Sequence, residues 1–230
     1  MSLSEAEVAR YARQLIVPGL GPLAQEFFRA SRVHVVGAGP IAGPALLFLA
    51  QAGVGTLYVD DGADVEAEDV TSWLYGADQV GQQRLLAAMG AVKAANGFAN
   101  ARAFSTGSDA TAVLVCPAWT GIARDAAERA RIAGVPHVVA VADGEGGEVV
   151  TVPPGAPCFS CATRPGTGTP ATPGAAAAVS SLAALEILLL LGGVLQAGAG
   201  RRIDLVLGQP QMRATTRIPG CPCGQGGRGP

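Results

Sequence analysis

The chain has 230 residues, a formal net charge of −2 at pH 7 and only 15% charged residues. An average soluble domain has about 25% charged residues, so this composition predicts one α/β domain that buries much of itself, in part within a subunit interface. The sequence contains no basic block, which excludes nucleic acid as an expected partner. No cationic segment leads into an apolar one at the start, so we expect a cytoplasmic protein.

Two short helices are predicted within the first 31 residues. Apolar residues recur at helical spacing over 5–15, and Pro-Gly follows shortly after. A second helix over 22–30 would turn Leu23, Phe27 and Phe28 inward. These helices precede the part of the chain that has nucleotide-binding features.

A βαβ unit is predicted over 32–61. A β-branched run at 33–36 meets a glycine-rich turn, a helical stretch follows at 44–52, and a second strand at 56–59 ends in two aspartates. A strand, a glycine-rich turn and a helix in this order are typical of nucleotide-binding units.

The turn and the acids after the second strand are the candidate nucleotide ligands. Gly37 and Gly39 would let the backbone approach a phosphate, which the N–H groups of the following helix would attract. Asp60, followed by Asp61, stands at about the distance downstream where an acid meets a ribose hydroxyl. The motif fits nicotinamide, flavin and adenine nucleotides alike, and a tight turn without a ligand has the same pattern.

Strands and helices continue to alternate as far as residue 142, which predicts a Rossmann-like, doubly wound, mostly parallel sheet. A hairpin turn followed by a strand over 144–151 would add an antiparallel portion. We expect further strands over 101–104, 112–115, 137–142, 203–207 and 212–216, and further helices over 82–96 and 125–133.

The stretch 175–195 is almost wholly apolar and long enough to cross a membrane. Glu186 in its middle, Ser180 and Ser181, and the Gly192-Gly193 break argue against that interpretation. We therefore predict a buried helix and no membrane partner.

Four of the five cysteines form two closely spaced pairs. Cys158 and Cys161 are spaced C-x-x-C, and Cys221 and Cys223 are spaced C-x-C about sixty residues later. Two thiol pairs on separate loops suit a structural zinc site with four thiolate ligands. A redox pair or disulfides is the alternative, and metal binding is favoured in a chain without an export signal. Cys116 is expected to be a buried small residue.

Taken together, the chain resembles the ThiF/MoeB family of bacterial relatives of ubiquitin-activating enzymes. The resemblance implies one domain over 1–230, with a nucleotide-binding part at 32–150 and a zinc and crossover-loop part at 151–230. It also implies a homodimer that uses ATP and magnesium to adenylate the C-terminal glycine of a ubiquitin-like sulfur carrier or a peptide, with zinc as a structural element. The matching segments are RYARQ at 10–14, VVGAGPIAG at 35–43, AQAGVGTLYVDD at 50–61, VGQ at 80–82, the Cys158/Cys161 pair, and CPCG at 221–224.

The same resemblance assigns roles to individual residues. Arg13 would reach the triphosphate from the partner subunit, Asp60 would hold the ribose, and Gly37 and Gly39 would shape the phosphate turn. Arg84 stands where the family has a lysine, which keeps the charge but changes the geometry.

Other positions depart from the family's pattern. Glu68 and Thr71 align with its asparagine and arginine, Ala118 with its magnesium-binding aspartate, and Pro40 replaces a glycine and removes an N–H donor. A neighbour such as Asp61 could replace a missing acid. Two alternatives to an active adenylyltransferase therefore stay open: a catalytically degenerate module that binds a carrier or heterodimerises, and an NAD- or FAD-dependent oxidoreductase.

Overall fold

The computed structural model describes residues 3–116, 120–163, 169–206 and 209–224. Within these residues eight strands form one sheet, flanked by helices on both faces. The strands are β1 (Arg32–Val36), β2 (Thr56–Asp60), β3 (Asn100–Ala103), β4 (Ala112–Val115), β5 (His137–Asp143), β6 (Gly146–Val152), β7 (Arg201–Val206) and β8 (Gln209–Ala214). The helices are α1 (Glu5–Leu15), α2 (Gly21–Ala30), α3 (Ala42–Ala52), α4 (Arg84–Ala95), α5 (Thr120–Ile132), α6 (Phe159–Ala162) and α7 (Pro173–Leu191), with short 3-10 helices at Ala67–Ser72, Ala77–Gln79 and Pro222–Gly224.

The strand order is β3-β2-β1-β4-β5-β6-β7-β8. β1 to β5 pair in parallel, and β5 to β8 pair antiparallel. The order reverses on either side of β1, which makes the carboxyl ends of β1 and β4 the switch point where ligands bind in such sheets. The predicted doubly wound sheet with an antiparallel portion is confirmed.

The core lies on both faces of this sheet because alternate strand residues point in opposite directions. Val33 and Val35 of β1 are buried against α3, α4 and α7, whereas Val36 faces the smaller core under α5 and α6. Burial on both faces explains why the parallel strands are nearly continuous apolar runs.

Helix α7 is long and apolar enough, by length and composition alone, to cross a membrane. In the structure it packs against α3, β5 and β6, as predicted for a buried helix. Its buried Glu186 accepts a hydrogen bond from Nε of Arg201 at 2.7 Å and one from Oγ1 of Thr151 at 2.5 Å. A paired carboxylate is the condition under which a charge is tolerated in a core.

The prediction for the second helix is correct in position but wrong for two side chains. Phe28 is buried, whereas Leu23 and Phe27 are exposed apolar residues. The buried face of α2 is instead made by Ala24, Gln25 and Phe28, because the side chain of Gln25 is used to bind the end of α3. Apolar residues on a surface are common, so their position could not be fixed from helical spacing alone.

The N-terminal helices pack against the C-terminal end of α3. Side-chain amides of Gln14 and Gln25 donate to the carbonyl of Ala52 at 3.0 and 2.9 Å. Gly53, at φ 91°, ends the helix, and a Cβ there would lie 2.4 Å from Nε2 of Gln25. An 11-residue helix is about 16 Å long, so α1 lies well away from the glycine-rich turn at the other end of α3.

Candidate functional site

The glycine-rich turn joins the end of β1 to the start of α3. Gly37 has a φ of 96°, which an L-residue with a side chain rarely adopts, and its N–H donates to the carbonyl of Asp60 at 2.9 Å. Gly39 has no such backbone requirement, and a Cβ there would meet the nearest atom, Nη1 of Arg84, at 3.6 Å. The turn therefore needs Gly37 for its shape, whereas the protein itself has room for a Cβ at Gly39.

The two aspartates at the end of β2 face different surroundings. Oδ2 of Asp61 accepts the Ala38 N–H of the turn at 2.7 Å, and its Oδ1 accepts the Ala63 N–H at 2.8 Å. Asp60 lies on the other side of the strand, where His34 Nε2 approaches its Oδ2 at 3.1 Å. Of the two acidic side chains, that of Asp61 is the one in contact with the turn.

Arg84, at the start of α4, reaches back to the turn. Its Nε donates to Oδ2 of Asp69 at 2.8 Å, and its Nη1 lies 3.7 Å from Oδ2 of Asp61. Burial alone would lower the pKa of Arg84, but the hydrogen bond to Asp69 and the charges of Asp69 and Asp61 raise it. One guanidinium thus lies between two carboxylates beside Gly39.

Tyr75 closes this cluster on its buried side. Its hydroxyl donates to the Ala38 carbonyl at 2.8 Å and lies 3.3 Å from the Arg84 carbonyl. Burial, together with the charges of Asp61 and Asp69, raises the pKa of Tyr75, so it stays a neutral donor. Tyr75 therefore fixes the turn to the start of α4.

His34 and Phe104 form a stacked pair next to Asp60. Their ring centroids are 3.6 Å apart and the planes differ by 4°. Burial lowers the pKa of His34 although the hydrogen bond and charge of Asp60 act to raise it. A neutral His34 donates its Nε2–H to Asp60, which holds that carboxylate in place at the end of β2.

Two of the positions that depart from the family's pattern lie in the 3-10 helix after β2. Glu68 and Thr71 are both exposed, and the Thr71 hydroxyl donates to the Glu68 carbonyl at 2.8 Å. The buried acid that meets Arg84 is the neighbouring Asp69. Ala118 lies outside the described residues.

An apolar cleft opens beside the turn, between the N-terminal ends of α3 and α7. It is lined by Pro40 and Pro44 from the turn and α3, and by Thr71 and Trp73 from the connection after β2. Residues of the first turns of α7, including Pro173, form the far wall. The cleft is open to solvent and small, with about 10 Å³ of space for the centre of a water-sized sphere.

The four paired cysteines converge in one cluster, as the two motifs predict. The Sγ atoms lie within 4.8 Å of one another, with Cys158–Cys221 and Cys161–Cys223 each at 3.6 Å and Cys158–Cys161 at 3.8 Å. Tetrahedral thiolates about 2.3 Å from a zinc ion would stand roughly 3.8 Å apart, whereas sulfurs in a disulfide are about 2.05 Å apart. The cluster can therefore hold a metal ion such as zinc.

The pKa values of the clustered thiols are shifted in opposite directions. Burial raises the pKa of the Cys158 thiol. Burial acts in the same direction on Cys223, but hydrogen bonds, first from the Cys158 backbone and then from the neighbouring thiols, lower the pKa of Cys223 overall. Protons shared in this way are displaced when a metal binds thiolates. Cys116 is buried elsewhere, as predicted for a small core residue.

The arginines of α1 have different environments. Nη2 of Arg10 donates to the Ala95 carbonyl at 2.6 Å and so stabilises the end of α4. Arg13 is exposed on the same helix. Because α1 packs against the far end of α3, Arg13 lies away from the turn of its own chain.

Sequence reasoning missed Asp69, Tyr75 and the His34–Asp60 contact. Asp69 and Tyr75 lie in an irregular connection that has no periodicity to indicate which residues face inward. A signal was present for His34, since a polar residue inside an apolar parallel strand needs a partner. That partner is the carboxylate of Asp60, which lies on the neighbouring strand β2.

Comparisons with known proteins match the chain to one family and to named relatives. A family model described as the ThiF family matches residues 11–223. The SAMP-activating enzyme E1 of Haloferax volcanii is 28% identical over 99% of this chain and 93% of that protein. A probable adenylyltransferase/sulfurtransferase MoeZ of Mycobacterium tuberculosis is 40% identical over 96 residues, which make up 41% of this chain but only 24% of MoeZ.

Solved structures share the fold at low sequence identity. Escherichia coli MccB, crystallised with MccA-N7isoASN, superposes with a TM-score of 0.79 at 18% identity, covering 96% of this chain and 75% of MccB. The structure of PaaA has a TM-score of 0.69 at 20% identity, covering 93% of this chain and 74% of PaaA. At such identities the similarity shows the fold alone.

Proposed function

The chain belongs to the ThiF family, and from that premise we propose that it is an ATP-dependent adenylyltransferase. Its substrate would be the C-terminal carboxylate of a ubiquitin-like sulfur carrier or of a peptide. The observation that supports this most directly is the glycine turn with the Arg84 guanidinium packed against Gly39. The relative named as a SAMP-activating enzyme and the peptide-bound MccB structure are consistent with both substrate types.

The reaction transfers the adenylyl group to a carboxylate. A carboxylate oxygen attacks the α-phosphorus of ATP, a new acyl–O–P bond forms, and the bond between that phosphorus and the bridging oxygen breaks. Pyrophosphate leaves with the electron pair, and the product is an acyl-adenylate. Magnesium, when bound, would neutralise phosphate charge, and the protein's part is to position both anions and offset their repulsion.

The residues of the turn can supply that positioning. α3 begins directly after the turn, so the partial positive charge of its N-terminus would favour a phosphate there, and Arg84 provides a cation beside Gly39. Asp61 now accepts the Ala38 N–H and would compete with a phosphate for that donor, or turn to a ribose hydroxyl. Asp60, held by His34, is the alternative ribose ligand given by its position in the sequence.

We propose a homodimer in which Arg13 acts in the partner's site. Arg13 is exposed and cannot reach the turn of its own chain. The N-terminal part of the chain also carries exposed apolar side chains, namely Ile16, Leu23 and Phe27. Burying them against a second copy would remove apolar surface from water and present Arg13 to the other subunit.

The four-cysteine cluster is proposed as a structural zinc site. Cys158 and Cys161 begin and lie in α6, which packs beneath α5, and Cys221 and Cys223 lie at the end of the described chain. Zinc would tie these two segments together, which is a structural role. It is therefore given no part in the transfer.

Radiolabelled pyrophosphate exchange into ATP, measured with a ubiquitin-like carrier and with short peptides, tests the function. We expect carboxylate-dependent exchange in the wild type. Gly39→Ala should fold normally, because its Cβ fits at 3.6 Å, but should lose exchange and ATP binding by blocking the phosphate. Gly97→Ala, where a Cβ meets nothing within 4 Å, is the matched control.

A catalytically degenerate binding module is the second candidate. The observation in its favour is that Asp61 and Asp69 both contact Arg84, so the net charge beside the turn is negative where a triphosphate would lie. A carrier that binds with unchanged affinity to wild type and Gly39→Ala, without any exchange, would favour this candidate.

A further inference from the structure

His34 is a polar residue within an otherwise apolar stretch of a parallel strand. Its neighbours Val33 and Val35 are fully buried, and His34 itself is 9% exposed. A buried ring with polar atoms is tolerated when those atoms have partners. His34 is held at its edge, where Nε2 lies 3.1 Å from Oδ2 of Asp60, and on its face, where the ring of Phe104 stacks at 3.6 Å. These contacts come from β2 and from the residue after β3, so they fix the imidazole from two directions.

The imidazole acts as a hydrogen-bond donor in this arrangement. A carboxylate offers lone pairs and no proton, so Nε2 of His34 carries the hydrogen that points at Asp60. Burial lowers the pKa of His34, against the hydrogen bond and charge of Asp60, and the positive charge of Arg129 also lowers it. A neutral His34 supplies a hydrogen bond without a counter-charge, which leaves the Asp60 carboxylate its full negative charge.

The two aspartates at the end of β2 differ in how much of the carboxylate a ligand can reach. Asp61 accepts backbone N–H groups on both oxygens, from Ala38 and Ala63, and its side chain is 10% exposed. The Asp60 side chain is 45% exposed. Within the part of the chain that the structure describes, its Oδ2 contacts His34 and its Oδ1 has no hydrogen-bond partner. Asp61 is therefore engaged in holding the turn, whereas Asp60 has an oxygen open to a ligand.

Asp60 lies directly beside the glycine turn. Its carbonyl accepts the Gly37 N–H at 2.9 Å, and it pairs in register with Val36, the last residue of β1. A nucleotide with its phosphates on such a turn has its ribose near the end of the second strand, where an acid accepts a hydroxyl proton. Phe104 is held at the same place, because its N–H donates to the Val59 carbonyl at 2.9 Å. The stacked rings and the open carboxylate oxygen thus meet where a ribose would lie.

We propose that His34 is a positioning residue for the nucleotide, which aims the open oxygen of Asp60 at a ribose hydroxyl and is itself held in place by Phe104. The inference rests on the proposed function and assigns the ribose to Asp60 rather than to Asp61. A carboxylate whose direction is fixed before the ligand arrives loses little side-chain freedom on binding, and so binds more tightly. In this role His34 acts through Asp60, on binding and not on the transfer itself.

Titration calorimetry with ATP and with 2′,3′-dideoxy-ATP, each with magnesium, measures the contribution of the ribose hydroxyls in the full chain. We expect the wild type to bind ATP about tenfold more tightly than the dideoxy analogue, as one hydrogen bond to a charged group allows. Asp60→Ala should bind the two nucleotides equally. His34→Leu, whose apolar side chain suits a buried strand, should lose most of the preference. His34→Gln keeps an N–H donor at the same number of bonds from the backbone and should restore it.

Tyr58→Phe is the matched control. Tyr58 pairs in register with His34 on the neighbouring strand, and its hydroxyl donates to Asp109, so this variant should keep the ribose preference. A merely structural effect of His34→Leu would lower the melting temperature or the active fraction without changing the ratio of the two affinities. A preference that survives in Asp60→Ala or in His34→Leu, or equal binding of both nucleotides by the wild type, would overturn the inference.

Pyrophosphate exchange into ATP and into 2′,3′-dideoxy-ATP separates this inference from the proposed function. Losing an interaction made equally in the ground and transition states raises the KM for ATP at unchanged kcat, which we expect of His34→Leu. A ribose preference in calorimetry without exchange by any carrier or peptide would support the role of His34 and contradict adenylation. Exchange with the same KM for both nucleotides would support adenylation and contradict the role of His34.

Discussion

Nε of Arg84 donates to Oδ2 of Asp69 at 2.8 Å, and this contact fixes the one cation that the described chain places against Gly39. Asp69 is 1% exposed and the Arg84 side chain 15%. The pair links the connection after β2 to the start of α4. It orients the guanidinium toward the turn, and the Asp69 carboxylate partly neutralises the positive charge of Arg84.

Asp69→Ala should destabilise the protein. Removing the carboxylate leaves a largely buried guanidinium without its shortest hydrogen bond, which costs about 1.5–3 kcal/mol of unfolding free energy. Urea denaturation measures this. Glu68→Ala, which truncates the exposed neighbour, is the control and should change stability by less than about 0.5 kcal/mol. Equal losses in the two variants would show that Asp69 is not the structural partner of Arg84.

The fold could be predicted from the sequence because its signals are local. The β-branched run of β1, the turn at Gly37 and the helix after it each follow from neighbouring residues. Asp69 could not be assigned in this way, because only tertiary contacts decide which acid of an irregular acidic connection turns inward. The predicted burial of Leu23 was wrong for a related reason, since helical spacing identifies an apolar face but not whether another element covers it.

The spacing of the two cysteine pairs predicted from sequence alone that the four thiols would come together. That they bind zinc stays a prediction. Purified protein should contain about one zinc per chain. Cys158→Ser should lose the metal and much of the stabilisation, on the order of 10 kcal/mol, that a structural zinc can contribute. Metal analysis with thermal melting measures both, and Cys116→Ala should retain the zinc. Metal-free protein that melts at the same temperature as the purified form would contradict a structural role.

Stability should fall on mild acidification because of the two histidines, His34 and His137. Burial lowers the pKa of both in the folded state, against the Asp60 carboxylate in one case and the Val135 carbonyl in the other. The unfolded chain, with a histidine pKa of about 6.5, then binds protons more readily than the folded one. Stability is therefore full above about pH 6.5 and is lost as the pH falls below it, by up to about 1.4 kcal/mol per pH unit for each histidine.

Urea unfolding at pH 7.5, 6.5 and 5.5 tests this for the wild type and for the double variant His34→Gln/His137→Gln. The chain has two histidines, so the double variant removes the whole effect and leaves any acid sensitivity of the thiolate cluster unchanged. We expect a shallower pH dependence in the double variant. Parallel pH profiles would show that neither histidine is buried in its neutral form.

The charge beside the turn is negative, because the two carboxylates of Asp61 and Asp69 face the single guanidinium of Arg84. ATP should therefore bind weakly and mainly through its adenosine end. Thr71 is exposed and lines the cleft with Pro40, so Thr71→Arg would place a guanidinium near the phosphates and should tighten ATP binding about fivefold, as expected of about 1 kcal/mol from one partly exposed charge. Titration calorimetry with and without magnesium measures the gain, and Thr71→Met controls for side-chain length.

Adding Ala118→Asp to Thr71→Arg should strengthen magnesium-dependent binding more than either change alone, because both act on the same phosphates. The gain should disappear without magnesium, since an added carboxylate then only repels ATP. An equal gain from Thr71→Met would show that the guanidinium charge is not the cause. Tight, magnesium-dependent ATP binding by the wild type would show that the negative balance around Arg84 is already offset, and Arg13 of the partner subunit would be the first residue to test by mutation to Ala.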